Sequence, residues 1–322
     1  MKAILVRRFG GPEVLRLEDL PEPAAGDGEV LIAVKAIGVN PVDAYIRAGS
    51  YPTKPDLPYC PGTDAAGVVA AVGAGVKGFK EGDRVFLYLY GSAGGSYAQK
   101  VSAAPSRVFP LPKALSFEQG AAIGVPYGTA HRALFHRANA RQGETVLIHG
   151  ASGGVGVAAV QLALAAGLTV IGTGGGAEGA AFVKSLGAHY AFDHRAAGYQ
   201  DEILESTNGR GVDVVVEMLA NVNLAADLAL AAVRGRVVVV GSRGPAQIDP
   251  RAAMTKDASV LGMTMRNVSD ADRAALYADL GGGLAGGTLR PMIGKTFALA
   301  QAPLAHEAVM ASGARGKIVL IP

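Results

Sequence analysis

The segment "TVLIHGASGGVGVAAVQLA", residues 145–163, restricts the fold more than any other stretch. A short β-branched run meets a glycine-rich loop and passes straight into an apolar, helix-prone run, the order of a strand, a tight turn and a helix. The dinucleotide fingerprint asks for G-x-G-x-x-G in that setting: a glycine for the turn, one for close approach to a pyrophosphate, and one for helix packing. Ala151, Gly153 and Gly156 occupy the three positions, with Gly150 just before the alanine. Backbone N–H groups and the positive end of a helix beginning near Gly154 would hold the pyrophosphate. No Lys-Ser or Lys-Thr follows the glycines, which excludes a P-loop.

Five similar runs follow: "LTVIGT" (168–173), "HYAFDH" (189–194), "VDVVVEML" (212–219), "GRVVVVGS" (235–242) and "SVLGMT" (259–264). Together with the first, and with helices between them, they predict a Rossmann-type, doubly wound parallel sheet in an α/β protein. Upstream, "EVLIAVKAIGVN", "GTDAAGVVAAVG" and "EGDRVFLYLY" are β-prone runs bounded by Gly, Pro and Asp, which suggests a mostly antiparallel, barrel-like module. Beyond Thr264, residues 270–285 read as a helix, "PLAHEAVMASG" as a second one ending at Gly313, and "GKIVLI" as a closing strand. That last segment is too short to be a domain, so it is expected to return to the first module. The expected division is 1–122 with 266–322, and 123–265 inserted between them.

Residues 155–172 imitate a membrane span, but Gly167 followed by Thr169 and Val170 marks a helix end and then a strand. A net charge of +3 on 322 residues gives no mandate for binding nucleic acid or a membrane surface. The opening "MKAILVRRFGG" has too short an apolar run for a signal peptide, and a single cysteine cannot form an internal disulfide, so a cytoplasmic protein is expected.

The second parallel strand bears on the cofactor. An acidic residue near its end would bind the ribose of NAD, whereas here "GTGGGAEG" places Thr173 and glycines there, and Glu178 comes late. Lys184, His194 and Arg195 are the nearest cationic groups, although a solvated turn also accounts for the last two. The charge balance favours NADP. Metal ligands are sparse: Cys60 is alone, and the histidines at 131, 136, 149, 189, 194 and 306 form no HExxH pair. His149, at the end of a buried strand, is expected to serve packing.

The module order, the glycine loop and "VNPVDAYIRAG" resemble the medium-chain dehydrogenase/reductase superfamily. Zinc alcohol dehydrogenases of that group place a cysteine ligand where this chain has Asn40, and a Gly-His-Glu where it has Gly62, Thr63 and Asp64. The chain is most similar to zeta-crystallin-type quinone oxidoreductases, through "FGGPEVL", "GAAIGVPYGTAHRAL", "HGASGGVG", "EMLANVNL" and "VVVVGSRG". The resemblance implies a Rossmann domain inserted in a GroES-like domain, NADPH as cofactor, no metal, and quinones reduced by hydride or electron transfer. By matching motif it assigns the pyrophosphate loop to Ser152, Gly153, Gly154 and Val155, and the adenosine side to Gly175 and His194. Tyr45 would touch the cofactor near the nicotinamide. Asn223, Val240, Gly241, Ser242, Arg243, Met263, Thr264 and Met265 would border the ribose and nicotinamide, the last three in the segment that departs most from the family pattern. Asn40 and Tyr45, and after them Tyr127, are the candidates for orienting substrate or nicotinamide. Each has a plainer alternative, since Asn40 before Pro41 can simply form a turn and Tyr45 can cover core with its ring.

An enone or alkenal reductase would use the same hydride donor and is not separable at this level. Of another class is a cofactor-binding protein with a structural or RNA-binding role, against which stand the modest charge and the lack of a basic stripe or an aromatic RNA-binding motif. A homodimer or homotetramer is expected by family analogy, with residues 259–264 as the pairing edge.

Overall fold

The computed structural model describes residues 1–90, 94–311 and 313–322. In chain order its strands are β1 (Lys2–Val6), β2 (Leu15–Asp19), β3 (Val30–Val39), β4 (Asp64–Val72), β5 (Arg84–Tyr88), β6 (Lys100–Ala103) and β7 (Val108–Pro110). There follow β8 (Thr145–Ile148), β9 (Thr169–Gly174), β10 (Tyr190–Asp193), β11 (Val212–Glu217), β12 (Ala231–Val239) and β13 (Ser259–Gly262), then β14 (Ile293–Ala298) and β15 (Lys317–Ile321). The chain divides into two compact units, Met1–Val125 with Ser269–Pro322, and Pro126–Val268.

In the unit Pro126–Val268, a strand covered on both faces has no reason to alternate, and β8 and β11 accordingly read as near-continuous apolar runs. The six expected strands form one parallel sheet in the order β10-β9-β8-β11-β12-β13. Chain order reverses between β8 and β11, which pair with Val214 opposite Val146 and Val216 opposite Ile148. Ligands in such sheets bind beyond the carboxyl ends of the strands at that reversal. Leu147, Ile171, Val215, Leu228 and Val237 lie in the core of the unit. The membrane-like run resolves into the helix Gly154–Ala165, a turn at Gly167 with φ +74°, and β9. Among the described residues no helix is long and apolar enough to cross a membrane.

The other unit carries a seven-stranded sheet, β14-β15-β3-β4-β5-β7 with β6 also on β3, antiparallel apart from the β14–β15 pair. The closing strand does return to the first module, setting Ile318 opposite Val39 and Leu320 opposite Ile37. Three features differ from the sequence reading. β14 had no expected counterpart, because "IGKTFA" is short and mostly exposed. The second of the late helices stops at Met310 instead of Gly313. Asn40-Pro41 opens a helix, Pro41–Arg47, and not merely a turn: proline sits in its first turn, and Asp43 accepts a hydrogen bond from the Asn40 N–H at 2.9 Å.

Candidate functional site

The glycine loop is built by contacts that leave little choice of residue. Gly150 has φ +58°, and a Cβ on Gly156 would fall 2.2 Å from the Gly150 carbonyl oxygen, so the helix can lie this close only with glycine there. Alanine at the first fingerprint position fits because Gly172 faces it; a Cβ on Gly172 would come within 2.9 Å of the Ala151 methyl. Gly153 is different. Its φ is −82°, and a Cβ would meet nothing nearer than 3.5 Å, so neither backbone strain nor the protein's own packing demands glycine. A phosphate approaching the backbone would demand it. The helix that starts at Gly154 turns its unpaired first-turn N–H groups to the same place. The loop therefore fits a dinucleotide.

The other residues expected to hold cofactor within this unit fall at or beyond the carboxyl ends of the parallel strands. At the end of β9, Thr173 is buried, and its hydroxyl accepts a hydrogen bond from the Gly150 N–H at 3.2 Å. Arg195 lies over Gly175, with a guanidinium nitrogen 3.2 Å from where a Cβ would stand. Asp193 accepts hydrogen bonds from the N–H groups of Gly176 at 2.7 Å and Arg195 at 2.9 Å. His194 is exposed at its outer side, and desolvation, aided by Arg195, lowers its pKa, leaving the imidazole uncharged at neutral pH. After β11, Asn223 donates to both oxygens of Glu217, at 3.1 and 3.3 Å. Val240 and Gly241 donate their N–H groups to the Glu217 carbonyl at 2.8 and 3.2 Å. Asn221, which sequence reasoning missed, accepts from the Arg243 N–H at 2.8 Å and from the Ser242 hydroxyl at 3.5 Å. Met263 N–H reaches the Val239 carbonyl, Thr264 caps the N–H of Arg266, and Met265 is buried. Tyr127 is buried, and its hydroxyl donates to Gln161 on the loop's helix at 2.7 Å.

His149 proves to be more than packing. Its Nε2 lies 2.8 Å from Asp227 and 3.6 Å from Glu217, and its Nδ1 lies 3.4 Å from the Thr173 hydroxyl. Burial lowers the pKa of His149 and pushes Glu217 and Asp227 each up to about 7. The two carboxyls lie close together, and burial favours their neutral forms up to about 7. Potential ligand atoms of these three residues lie within 4.8 Å of one another. However, a tetrahedral ion with bonds of about 2.0–2.1 Å keeps its ligands roughly 3.3 Å apart, so the 2.8 Å His149–Asp227 contact is a hydrogen bond.

In the unit Met1–Val125 with Ser269–Pro322, Asn40 and Asp64 do come together. Asn40 donates to Asp64 at 3.0 Å, and Lys317 donates to the same Asp64 oxygen at 2.9 Å and to the Asn40 amide oxygen. The other Asp64 oxygen accepts from the Val125 N–H at 2.8 Å. All three side chains are buried. Lys317 was missed; its only signal is a charge opening an otherwise apolar closing strand. Thr63 donates to Asp43 at 3.2 Å, and burial, with Asp64 nearby, pushes the Asp43 carboxyl up to about 7. Tyr97 links Asp43 to His306, whose ring is 3.0 Å from the Tyr97 hydroxyl. Tyr45 is half-buried on the helix Pro41–Arg47. Burial raises the Cys60 thiol to about 12, so it is neither nucleophile nor ready ligand at neutral pH.

Residues 26–113 match the family of alcohol dehydrogenase GroES-like domains, and residues 154–278 that of zinc-binding dehydrogenases. The chain is 49% identical over 323 residues to a quinone oxidoreductase of Rattus norvegicus, covering 100% of this chain and 98% of the relative. A mycobacterial protein solved in complex with NADPH is similar with a TM-score of 0.91 and 33% identity, over 100% of both chains. An NAD-dependent alcohol dehydrogenase is similar with a TM-score of 0.94 and 31% identity, again over 100% of both.

Proposed function

The chain belongs to the zeta-crystallin-type quinone oxidoreductases of the medium-chain dehydrogenase/reductase superfamily, and we propose that it reduces quinones with NADPH and without a metal. The unit Pro126–Val268 has the fold of an NAD(P)-binding oxidoreductase domain. The observation that carries the proposal is the saturation of Asp64. Asn40 and Lys317 take one oxygen and the Val125 N–H the other, so this carboxylate already has its cation, and an amide and a hydroxyl stand at Asn40 and Thr63 in place of stronger ligands. Reducing a simple ketone builds an alkoxide that calls for a Lewis acid or a proton donor, whereas a quinone spreads the arriving charge over a conjugated ring. The substrate class follows from that difference.

NADPH, when bound, supplies the hydride. The chain's residues bind and orient. The loop Ser152–Val155 receives the pyrophosphate, and Arg195, with His194 beside it, meets the 2′-phosphate over Gly175. With Thr173 engaged, no acidic residue at 173–177 and the Asp193 carboxylate already accepting from the N–H groups of Gly176 and Arg195, NADPH is preferred to NADH. Asn223, Val240–Arg243 and Met263–Met265 border the ribose and nicotinamide. Tyr45 orients the acceptor, Asn40 fixes the helix that carries it, and Tyr127 supports the loop's helix through Gln161. Copies of the chain pair across the edge strand β13, where Val260 is exposed.

The test is to add an ortho-quinone, a para-quinone or a simple enone to purified protein with NADPH or NADH, with and without chelator, and follow nicotinamide absorbance. Rapid, chelator-insensitive oxidation of NADPH by a quinone is expected. Preference for the enone would make the protein an alkenal reductase. Tight NADPH binding with no oxidation by any acceptor would sink the enzymatic reading.

A further inference from the structure

We propose that the His149–Asp227–Glu217 cluster is the positioning element of the cofactor site: one buried hydrogen-bonded group through which the glycine loop, Asn223 and the Val240–Gly241 segment are held in a common register. The inference rests on the cofactor reading above. Its ground is where the cluster stands and what ends on it. His149 follows β8 directly and Glu217 closes β11, the two neighbouring strands between which the sheet reverses its order. Asp227 reaches them from the helix Ala220–Leu230. A dinucleotide that lies across this reversal touches loops from both halves of the sheet. Those loops are far apart along the chain, and a group that joins them beyond the strand ends can fix their spacing before the ligand arrives.

The hydrogen bonds supply the tie, and their donors and acceptors agree along its whole length. The Gly150 N–H donates to the Thr173 hydroxyl, which donates to His149 Nδ1; His149 Nε2–H then donates to Asp227. The other Asp227 oxygen, Oδ2, meets no donor among the described residues, and a carboxyl proton on the adjacent Glu217 would satisfy it. Glu217 in turn accepts from the Leu219 N–H and from the Asn223 amide. Its carbonyl receives Val240 and Gly241. Three of the segments expected to hold cofactor thus end on one group whose acidic members have no exposure to solvent. Buried networks of this kind rigidify what they join when each member is satisfied.

A protonated Glu217 donates to Asp227 and accepts from Asn223, and glutamine can do both, whereas leucine can do neither. With the full-length protein, Glu217→Gln should bind NADPH within about 3-fold of wild type, and Glu217→Leu about 30-fold more weakly, by nicotinamide fluorescence. If Glu217 acts through Asn223, then Asn223→Ala should cost about 10-fold alone but under about 3-fold in the Glu217→Leu background. Turnover at saturating NADPH should change less than about 3-fold in Glu217→Gln and Glu217→Leu, so that the loss appears in KM and not in kcat. Thr173→Val tests the other arm, and about 10-fold weaker binding is expected. NADPH binding by Glu217→Leu equal to wild type, or losses that simply multiply, overturn the inference. If Glu217→Leu does not fold, normal binding by Thr173→Val overturns it too. Failure of the wild type to bind either NADPH or NADH is a separate outcome, which removes the cofactor reading and this inference with it.

Discussion

Asp64, at the start of β4, and Glu217, at the end of β11, are both carboxylates without solvent exposure, yet one meets an ammonium and the other a second acid beside an uncharged imidazole. Removing a charge from water costs several kcal/mol, and a fold can offset that cost with a counter-ion or avoid it by keeping a proton. Lys317 provides the first solution. Glu217 and Asp227 use the second. A counter-ion can fix geometry over a wide pH range but depends on a partner from elsewhere in the chain. A shared proton needs only neighbours, and leaves a group that titrates close to neutrality and whose role an amide can take.

The largest effect that could break this contrast lies at Lys317. Lys317→Met should lower unfolding stability by about 3–5 kcal/mol in denaturant titrations, because it strands a buried carboxylate, and adding Asp64→Asn should recover part of the loss. A loss below about 1 kcal/mol would mean that the ammonium is not what stabilises Asp64. Next comes pH. In the fold, Asp43, Glu217 and Asp227 each favour the neutral form, with carboxyls at about 7. Their contribution is complete below the ordinary carboxyl range near about 4 and is lost as pH rises through about 7. His306 acts in the opposite sense: burial lowers it to about 3, so its contribution is present above about 6.5 and lost as pH falls through about 3. Across these three carboxyls, stability should therefore decline as pH rises from about 4 to about 7 and level off above that, and Asp43→Asn should flatten the decline. An equally steep decline in Asp43→Asn would exclude Asp43 as a source.

Smaller effects sharpen the comparison. Tyr127→Phe removes the hydroxyl from Gln161 and should cost about 1 kcal/mol, with quinone turnover nearly unchanged; a large fall in turnover would return Tyr127 to the chemistry. Glu217→Gln should shift stability by less than about 1 kcal/mol in thermal unfolding at pH 6, since the amide replaces a carboxyl that is already protonated. A large loss there would mean that the pair carries two charges after all.

What could be read from the sequence was local. The glycine loop and the six parallel strands lie in short stretches whose periodicity and turn residues speak for themselves, and Ala151 in place of glycine needed only Gly172 across the strand. The same reading placed Asn40 and Asp64 in one motif-bearing region. Lys317, 253 residues from Asp64, has no local signature of its role. His149 was assigned to packing because its surroundings along the chain are apolar, while Asp227, 78 residues away, supplies the polarity. The helix Pro41–Arg47 was not read from the sequence, although proline stands in its first turn and Asp43 is placed to cap it, because Asn-Pro reads equally well as a turn when taken alone.

The distance between Asp64 and Lys317 also sets a clock. At about 5–20 residues per second, the ribosome adds the 253 residues that separate them in roughly 10–50 s. All of Pro126–Val268 emerges during that interval and can fold on its own strands. Until β15 arrives, the earlier module waits with one side of the last residues of β3, Ile37 to Val39, unpaired and its buried acid without a cation. The unit that is begun first is thus finished last, and the newborn chain is most exposed to chaperones and proteases in the module that already looks nearly complete.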